Sequence, residues 1–297
     1  ESPALSTAYL NQHFPLVDFS VFGLTSVVRQ RTDSGILENA TRIRQAQVEE
    51  TIPLLDLHSY PDVKAVPGDE LIEKIESSYS YYGADEVMVV TRSNKRANLY
   101  NQHIRNRILM MEEELCGGDL LMVVKNNYFW LDPLSSAGFI ANGELVKVHR
   151  IRRVEELYGV RFAHLEVSLI DYPDLDRFEA IAFMETLTIE QPNLDRQFLK
   201  TLFYEIEKDF MHERNKQKRY QEIMKSPYFN ALQIKFAYAV TCHKSQGGQW
   251  AAVFVDHGYL EFEQVDFSFL RWLYTAVTRA SERLYTVNLM EELVEQN

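Results

Sequence analysis

The ten residues Thr241-Cys-His-Lys-Ser-Gln-Gly-Gly-Gln-Trp250 crowd hydroxyl, imidazole, ammonium and amide groups into one short segment between two apolar runs. Thr241, His243, Lys244 and Ser245 offer polar hydrogens, and the backbone around Gly247-Gly248 is open to close approach by a phosphate. An equally simple account is a glycine-paired turn that only closes a strand-helix-strand unit. A second stretch, Leu273-Tyr-Thr-Ala-Val-Thr-Arg279-Ala280, sets an arginine at the C-terminal end of an otherwise apolar helix. There the cation either serves the helix dipole or stabilises negative charge developing on a transferred γ-phosphoryl group.

These groups need elements to hold them. Ile234, Phe236, Tyr238 and Val240 lead into Thr241. Ala252–Asp256 is a continuous apolar run of the kind buried in a parallel sheet. The span 269–280 has helical character, with Trp272, Leu273 and Ala276 apolar, and Leu284–Val287 reads as a further strand. Strands separated by helices imply a parallel α/β sheet. Upstream, Ser34 is placed to cap a helix carrying Ile36, Ala40 and Ile43 at helical spacing. Glu86–Thr91 predicts a strand, followed by a helix from Ser93 with Ala97, Tyr100, Ile104 and Ile108 on one face. Residues 117–190 differ in texture. Gly117-Gly118, Asn126-Asn127, Pro133, Asn142-Gly143 and Pro173 punctuate short apolar runs, which predicts a small β-barrel, and Asn142-Gly143 is a hairpin signal. Residues 193–224 turn helical, with Phe198, Leu199, Leu202, Phe203, Ile206 and Phe210 in one stripe. They end in the basic cluster Arg214, Lys216, Lys218, Arg219.

The bulk numbers narrow the classes. The chain has 297 residues, 46% hydrophobic and 25% charged, an ordinary globular composition. No apolar run is long enough for a membrane span. Two distant cysteines, Cys116 and Cys242, make neither a disulfide framework nor a metal site and point to a reducing, cytoplasmic setting. His58, His149, His164, His212 and His257 lack ligand spacing. A net charge of −12 argues against a basic nucleic-acid coat protein, though not against one that grips a strand in a local groove. Exposed aromatics at Phe129-Trp130 can stack on bases, but barrel core is the commoner use of such a pair.

The segment AYAVTCHKSQGGQW, followed by LYTAVTRA, resembles motifs V and VI of superfamily 1 DNA helicases, closest in flavour to the RecD and Dda group and related to UvrD-type enzymes. Residues 24–44 are similar to the motif IV region. Residues 89–105 resemble the strand and helix that open the second RecA-like domain of that family. The resemblance implies an α/β fold: a RecA-like parallel-sheet domain with an inserted small β-barrel and helical segments, plus the tail of a preceding RecA-like domain. The implied division is residues 1–60 for that tail, 61–116 with 231–297 for the sheet domain, 117–192 for the barrel and 193–230 for a helical insertion.

In the family, two RecA-like domains sandwich ATP with Mg²⁺. The resemblance therefore implies that Arg279 is the arginine finger and Arg29 a second catalytic γ-phosphate contact. It implies nucleotide contacts from Gln30, Gln246, Gly247 and Gln249, the last standing where many relatives carry Glu. It implies contacts to single-stranded DNA from Thr241, His243, Lys244, Ser245, Asn94 and Arg105. The phosphate-binding sequence G-x-x-x-x-G-K-[ST] is absent from the chain. The expectation is a C-terminal portion of an ATP-dependent 5′ to 3′ helicase, beginning after motif III and inactive by itself, with nuclease or recombination subunits as candidate partners and no membrane. The alternative is a helicase-like subunit without its own phosphate loop that binds DNA or protein. A dinucleotide-binding domain is disfavoured, because G-x-G-x-x-G is missing.

Overall fold

The computed structural model describes residues 6–20 and 33–296. After a short helix α1 (Thr7–His13), the main body begins with α2 (Gly35–Glu49). Ser34 Oγ accepts from the N–H groups of Ile36 and Leu37, as its position predicts. Ile36, Ala40 and Ile43 are buried. Gly35 is tight against Tyr60, whose Cβ would lie 2.4 Å from any added side chain. α2 packs against the later segments 267–277 and 280–287, beside the motif-bearing stretches, and Gln47 Nε2 donates to Leu270 O.

That sheet is parallel throughout. Its strands are β1 (Val63–Val66), β2 (Val87–Thr91), β8 (Ala239–Thr241), β9 (Trp250–Asp256) and β10 (Ala280–Val287), in the order β1-β10-β9-β2-β8. β2 and β9 are buried along their whole length, which is why both read as unbroken apolar runs. Helix α3 (Leu71–Tyr82) joins β1 to β2, and α7 (Phe267–Val277) joins β9 to β10 in the opposite lateral direction. Right-handed crossovers therefore put α3 and α7 on opposite faces. The result is an α/β fold with a parallel sheet covered on both sides.

After β2, helix α4 (Asn94–His103) runs into a wider helical turn, Ile104–Ile108, and the chain leaves the sheet. It builds a closed five-stranded barrel: β3 (Leu120–Val123), β4 (Leu145–Leu157), β5 (Val160–Leu169), β6 (Phe178–Phe183) and β7 (Leu232–Phe236). β4 and β5 form a long hairpin whose outer half packs with α5 (Arg196–Glu207) and α6 (Lys216–Met224) in a second core of Phe162, Phe183, Leu202, Ile206 and Ile223. The expected barrel is thus present, with two differences of detail. The stretch Ile234–Val240 is two strands: β7 closes the barrel against β3 and β6, and β8 re-enters the sheet beside β2. Asn142-Gly143 makes a turn with Gly143 at positive φ, but it ends a longer excursion between β3 and β4 rather than a two-residue hairpin.

Only Ala237 and Tyr238 separate barrel from sheet, and α4 fixes their path. The Asn101 amide donates to the carbonyls of Phe236 (3.2 Å) and Ala239 (2.9 Å), and its oxygen accepts from the N–H groups of Tyr238 (3.0 Å) and Ala239 (2.8 Å). One buried side chain thus satisfies four backbone groups where two ladders meet.

Candidate functional site

The segment after β8 crosses the height of the sheet. Thr241 pairs with Thr91, and Thr91 with Asp256, so Thr241 stands at the carboxyl edge. Trp250 opens β9 and lies level with Ala280 at the amino edge. The two edges are roughly 20 Å apart at the usual strand rise. Residues 242–249 therefore run from one edge to the other over the face that carries α7.

Local bonds shape this connection. The N–H groups of Lys244 and Ser245 both donate to Thr241 O, and Ser245 Oγ donates back to Cys242 O at 2.8 Å. Cys242 Sγ donates to Trp272 O on α7, and burial pushes the thiol up to about 11. Gly247 has a φ of +89°, a backbone state that favours glycine. At Gly248 an added Cβ would stand 2.4 Å from the Trp250 ring. The glycine pair thus has two separate causes, one conformational and one steric.

Arg279 meets the far end of the same connection. Its Nη1 donates to Gly248 O (3.0 Å), Nε to Thr275 O (3.0 Å) and Nη2 to Thr278 Oγ1 (3.1 Å), while its own carbonyl accepts from Trp250 N–H (3.0 Å). The side chain is 8% exposed and held in one orientation. The two motif stretches, remote in sequence, are one hydrogen-bonded unit in space.

The expected contact residues divide by location. Asn94, Thr241 and Lys244 line one narrow seam at the carboxyl edge, between sheet and barrel. His243 is exposed beside it, whereas Ser245 is fully buried and spent on Cys242. Gln246, Gly247 and Gln249 line a second cleft, about 400 Å³, opposite Asn142, Gly143 and Glu144 of the barrel, and Lys244 borders both spaces. That cleft is acidic, with Asp85, Glu86, Glu144 and Asp171 on its walls, and burial next to Asp171 raises the Glu144 carboxyl. Arg105 lies with neither group. It is 5% exposed and bound through Nε and Nη2 to Asp119 at 2.8 and 2.9 Å, with its guanidinium 4.2 Å from the centre of the Phe236 ring. The structure gives it internal work at the barrel base, together with Tyr238 Oη, which also donates to Asp119. Arg29 and Gln30 lie outside the described residues.

Sequence reasoning missed Lys235. It sits on β7, lines the same seam as Thr241 and Lys244, and is buried. Nothing in its local sequence singled it out, since barrel closure against β6 cannot be read from a single strand. Phe129 and Trp130 are split: Trp130 packs inward and donates Nε1 to Asn230 O, while Phe129 stays partly exposed. No group of three or more His, Cys, Asp or Glu side chains arranged to hold a metal occurs among the described residues. No described helix is long and apolar enough to cross a membrane.

Residues 236–287, which span β8, the crossing connection, β9, α7 and all of β10, match the UvrD-like helicase C-terminal domain. No curated protein matches the sequence. Among solved structures, the chain is similar to the Pif1 helicase from Bacteroides in complex with ADP-AlF3 and ssDNA, at 13% identity and a TM-score of 0.44, covering 92% of this chain and 53% of that one. It is similar also to Pif1 helicase from Candida albicans, at 12% identity and a TM-score of 0.43, covering 92% and 57%. The chain thus spans little more than half the length of these structures.

Proposed function

We propose that this chain is the C-terminal portion of an ATP-dependent DNA helicase that moves along single-stranded DNA, and that its two sheet edges divide the work. The observation that carries the proposal is the crossing connection: Thr241 at the carboxyl edge and Gly248 at the amino edge belong to one short segment, and Gly248 is tied to Arg279. Asn94, Thr241, His243 and Lys244 contact the strand, while Arg279, Gln246, Gly247 and Gln249 form one wall of a nucleotide site. Arg29 and Gln30 are assigned to that wall by sequence alone.

The residues present suit half of such a site. A buried, oriented guanidinium fits a γ-phosphate. The chain has no G-x-x-x-x-G-K-[ST] loop, and in this proposal an opposing domain supplies that loop and the groups that hold Mg²⁺. When bound there, ATP with Mg²⁺ supplies the hydrolytic free energy. Arg279 would meet the γ-phosphate while its Nη1 holds the Gly248 carbonyl. A shift at the amino edge therefore moves the connection that reaches the DNA edge. Motion in the 5′ to 3′ direction, a cytoplasmic setting and association with nuclease or recombination subunits complete the proposal.

The test pairs two measurements. The isolated chain is titrated with labelled single-stranded DNA, and ATP turnover is assayed on a protein in which it is joined to a phosphate-loop domain. DNA-stimulated turnover by the joined protein, and none by the chain alone, is the expected result. DNA binding without turnover in any joined form would instead favour a helicase-like binding subunit.

A further inference from the structure

Two lysines meet at the seam between barrel and sheet without a carboxylate. Lys235, from β7, is 6% exposed and its Nζ donates to the carbonyl of Ile189. Lys244, from the crossing connection, donates Nζ to the carbonyl of Pro192 at 3.4 Å. The lysine ion pairs found among the described residues, Lys208–Glu205 and Lys225–Glu222, lie elsewhere on exposed helices. Burying an ammonium without a counter-charge is costly, and placing a second beside it adds repulsion. Burial pushes both amines down to about 8, and Lys235 further disfavours the charge on Lys244. A folded seam that keeps two such groups is one prepared for an anion.

The surroundings say which anion. Thr241 and Asn94 line the same seam, and the free space there is about 10 Å³. That is room for about one water-sized group, so an anionic oxygen fits and a base or sugar does not. Lys244 also borders the neighbouring cleft, whose walls carry Glu86, Glu144 and Asp171, whereas no carboxylate lines the seam itself among the described residues. His243 is exposed next to the seam on the same connection.

We propose that Lys235 and Lys244 seat a single backbone phosphate of single-stranded DNA across the junction of barrel and sheet. The inference rests on the DNA-tracking role proposed above and adds a barrel residue to it. A strand held this way couples the barrel rigidly to the crossing connection, because one phosphate touches both.

The test uses the full chain, a short fluorescein-labelled oligodeoxythymidylate and anisotropy titrations over a range of salt. Lys235→Met and Lys244→Met keep the aliphatic stems and remove the charges. Each is expected to weaken binding several-fold at low salt and to flatten the slope of log affinity against log salt by about 0.7, the value for one phosphate on a single strand. Lys235→Arg should retain most of the slope. Wild-type slopes in both methionine variants overturn the seat while leaving the DNA-binding role intact. Failure of the wild-type chain to bind the oligomer at all overturns both. Displacement of the oligomer by ATP at matched ionic strength reassigns the lysines to a nucleotide and also overturns the seat. If Lys235→Met does not fold by circular dichroism, Lys244→Met and protection of Lys244 from acetylation by the oligomer decide, and absence of protection counts against the seat.

Discussion

Arg279 Nη1 and Gly248 O are 3.0 Å apart, although 31 positions separate them in the chain. This bond joins the end of α7 to the end of the connection that begins at Thr241. It makes the groups at the two edges of the sheet parts of one hydrogen-bonded unit.

Replacing Arg279 by alanine should therefore act on catalysis far more than on nucleotide affinity. In a protein that joins this chain to a phosphate-loop domain, ATP turnover should fall by roughly 10³-fold or more, the range of arginine-finger effects. Arg279→Lys should rescue little, because a point charge cannot span Gly248 and a phosphate as a planar fork does. Steady-state kinetics with a direct nucleotide-binding titration checks this, and turnover within threefold of wild type would reject the role.

Asn101 is expected to be a stability residue. Asn101→Ala strips partners from the buried backbone at Phe236, Tyr238 and Ala239. The cost should be about 3 kcal/mol, since each orphaned buried group costs on the order of 1–3 kcal/mol and some regain water. Urea unfolding followed by circular dichroism measures it. An unchanged midpoint would mean the junction is held elsewhere.

Arg105 separates a structural from a DNA-binding assignment. Arg105→Met leaves the fully buried Asp119 carboxylate without its cation, which should destabilise the fold by about 3–5 kcal/mol. The salt dependence of single-stranded DNA binding should stay at the wild-type slope below the melting temperature. A flatter slope would return Arg105 to the DNA.

The seam lysines predict a pH response. Their folded values lie near 8, below the ordinary 10.5, so between about 8 and 10.5 the unfolded chain binds protons that the folded chain does not. Stability from these groups therefore rises with pH through that window. Lys235→Met should melt higher than wild type at pH 7, and the gap should close by about pH 10. DNA affinity runs the other way, falling as pH climbs through 8 and the ammoniums lose charge. Melting curves and anisotropy titrations at constant ionic strength test both arms.

Much of this was legible in one dimension. Unbroken apolar runs such as Ala252–Asp256 marked strands buried on both faces, because a parallel sheet covered by helices leaves no polar side. Ser34 and Ser93 marked helix starts, because their hydroxyls accept from the first free N–H groups. The Thr241–Trp250 and Leu273–Ala280 stretches announced themselves by residue type. What the one-dimensional pattern could not hold was the distance between things far apart in sequence. Arg105 looked like an available cation until Asp119 and Phe236 folded over it. Lys235 carried no signal of its own in the sequence; its burial follows from β7 closing against β6, with the Ile189 carbonyl brought to its amine. Local propensity and hydrophobic periodicity are short-range properties and were written in the sequence. Burial, charge pairing and the meeting of Arg279 with Gly248 depend on long-range packing, and only the tertiary structure decided them.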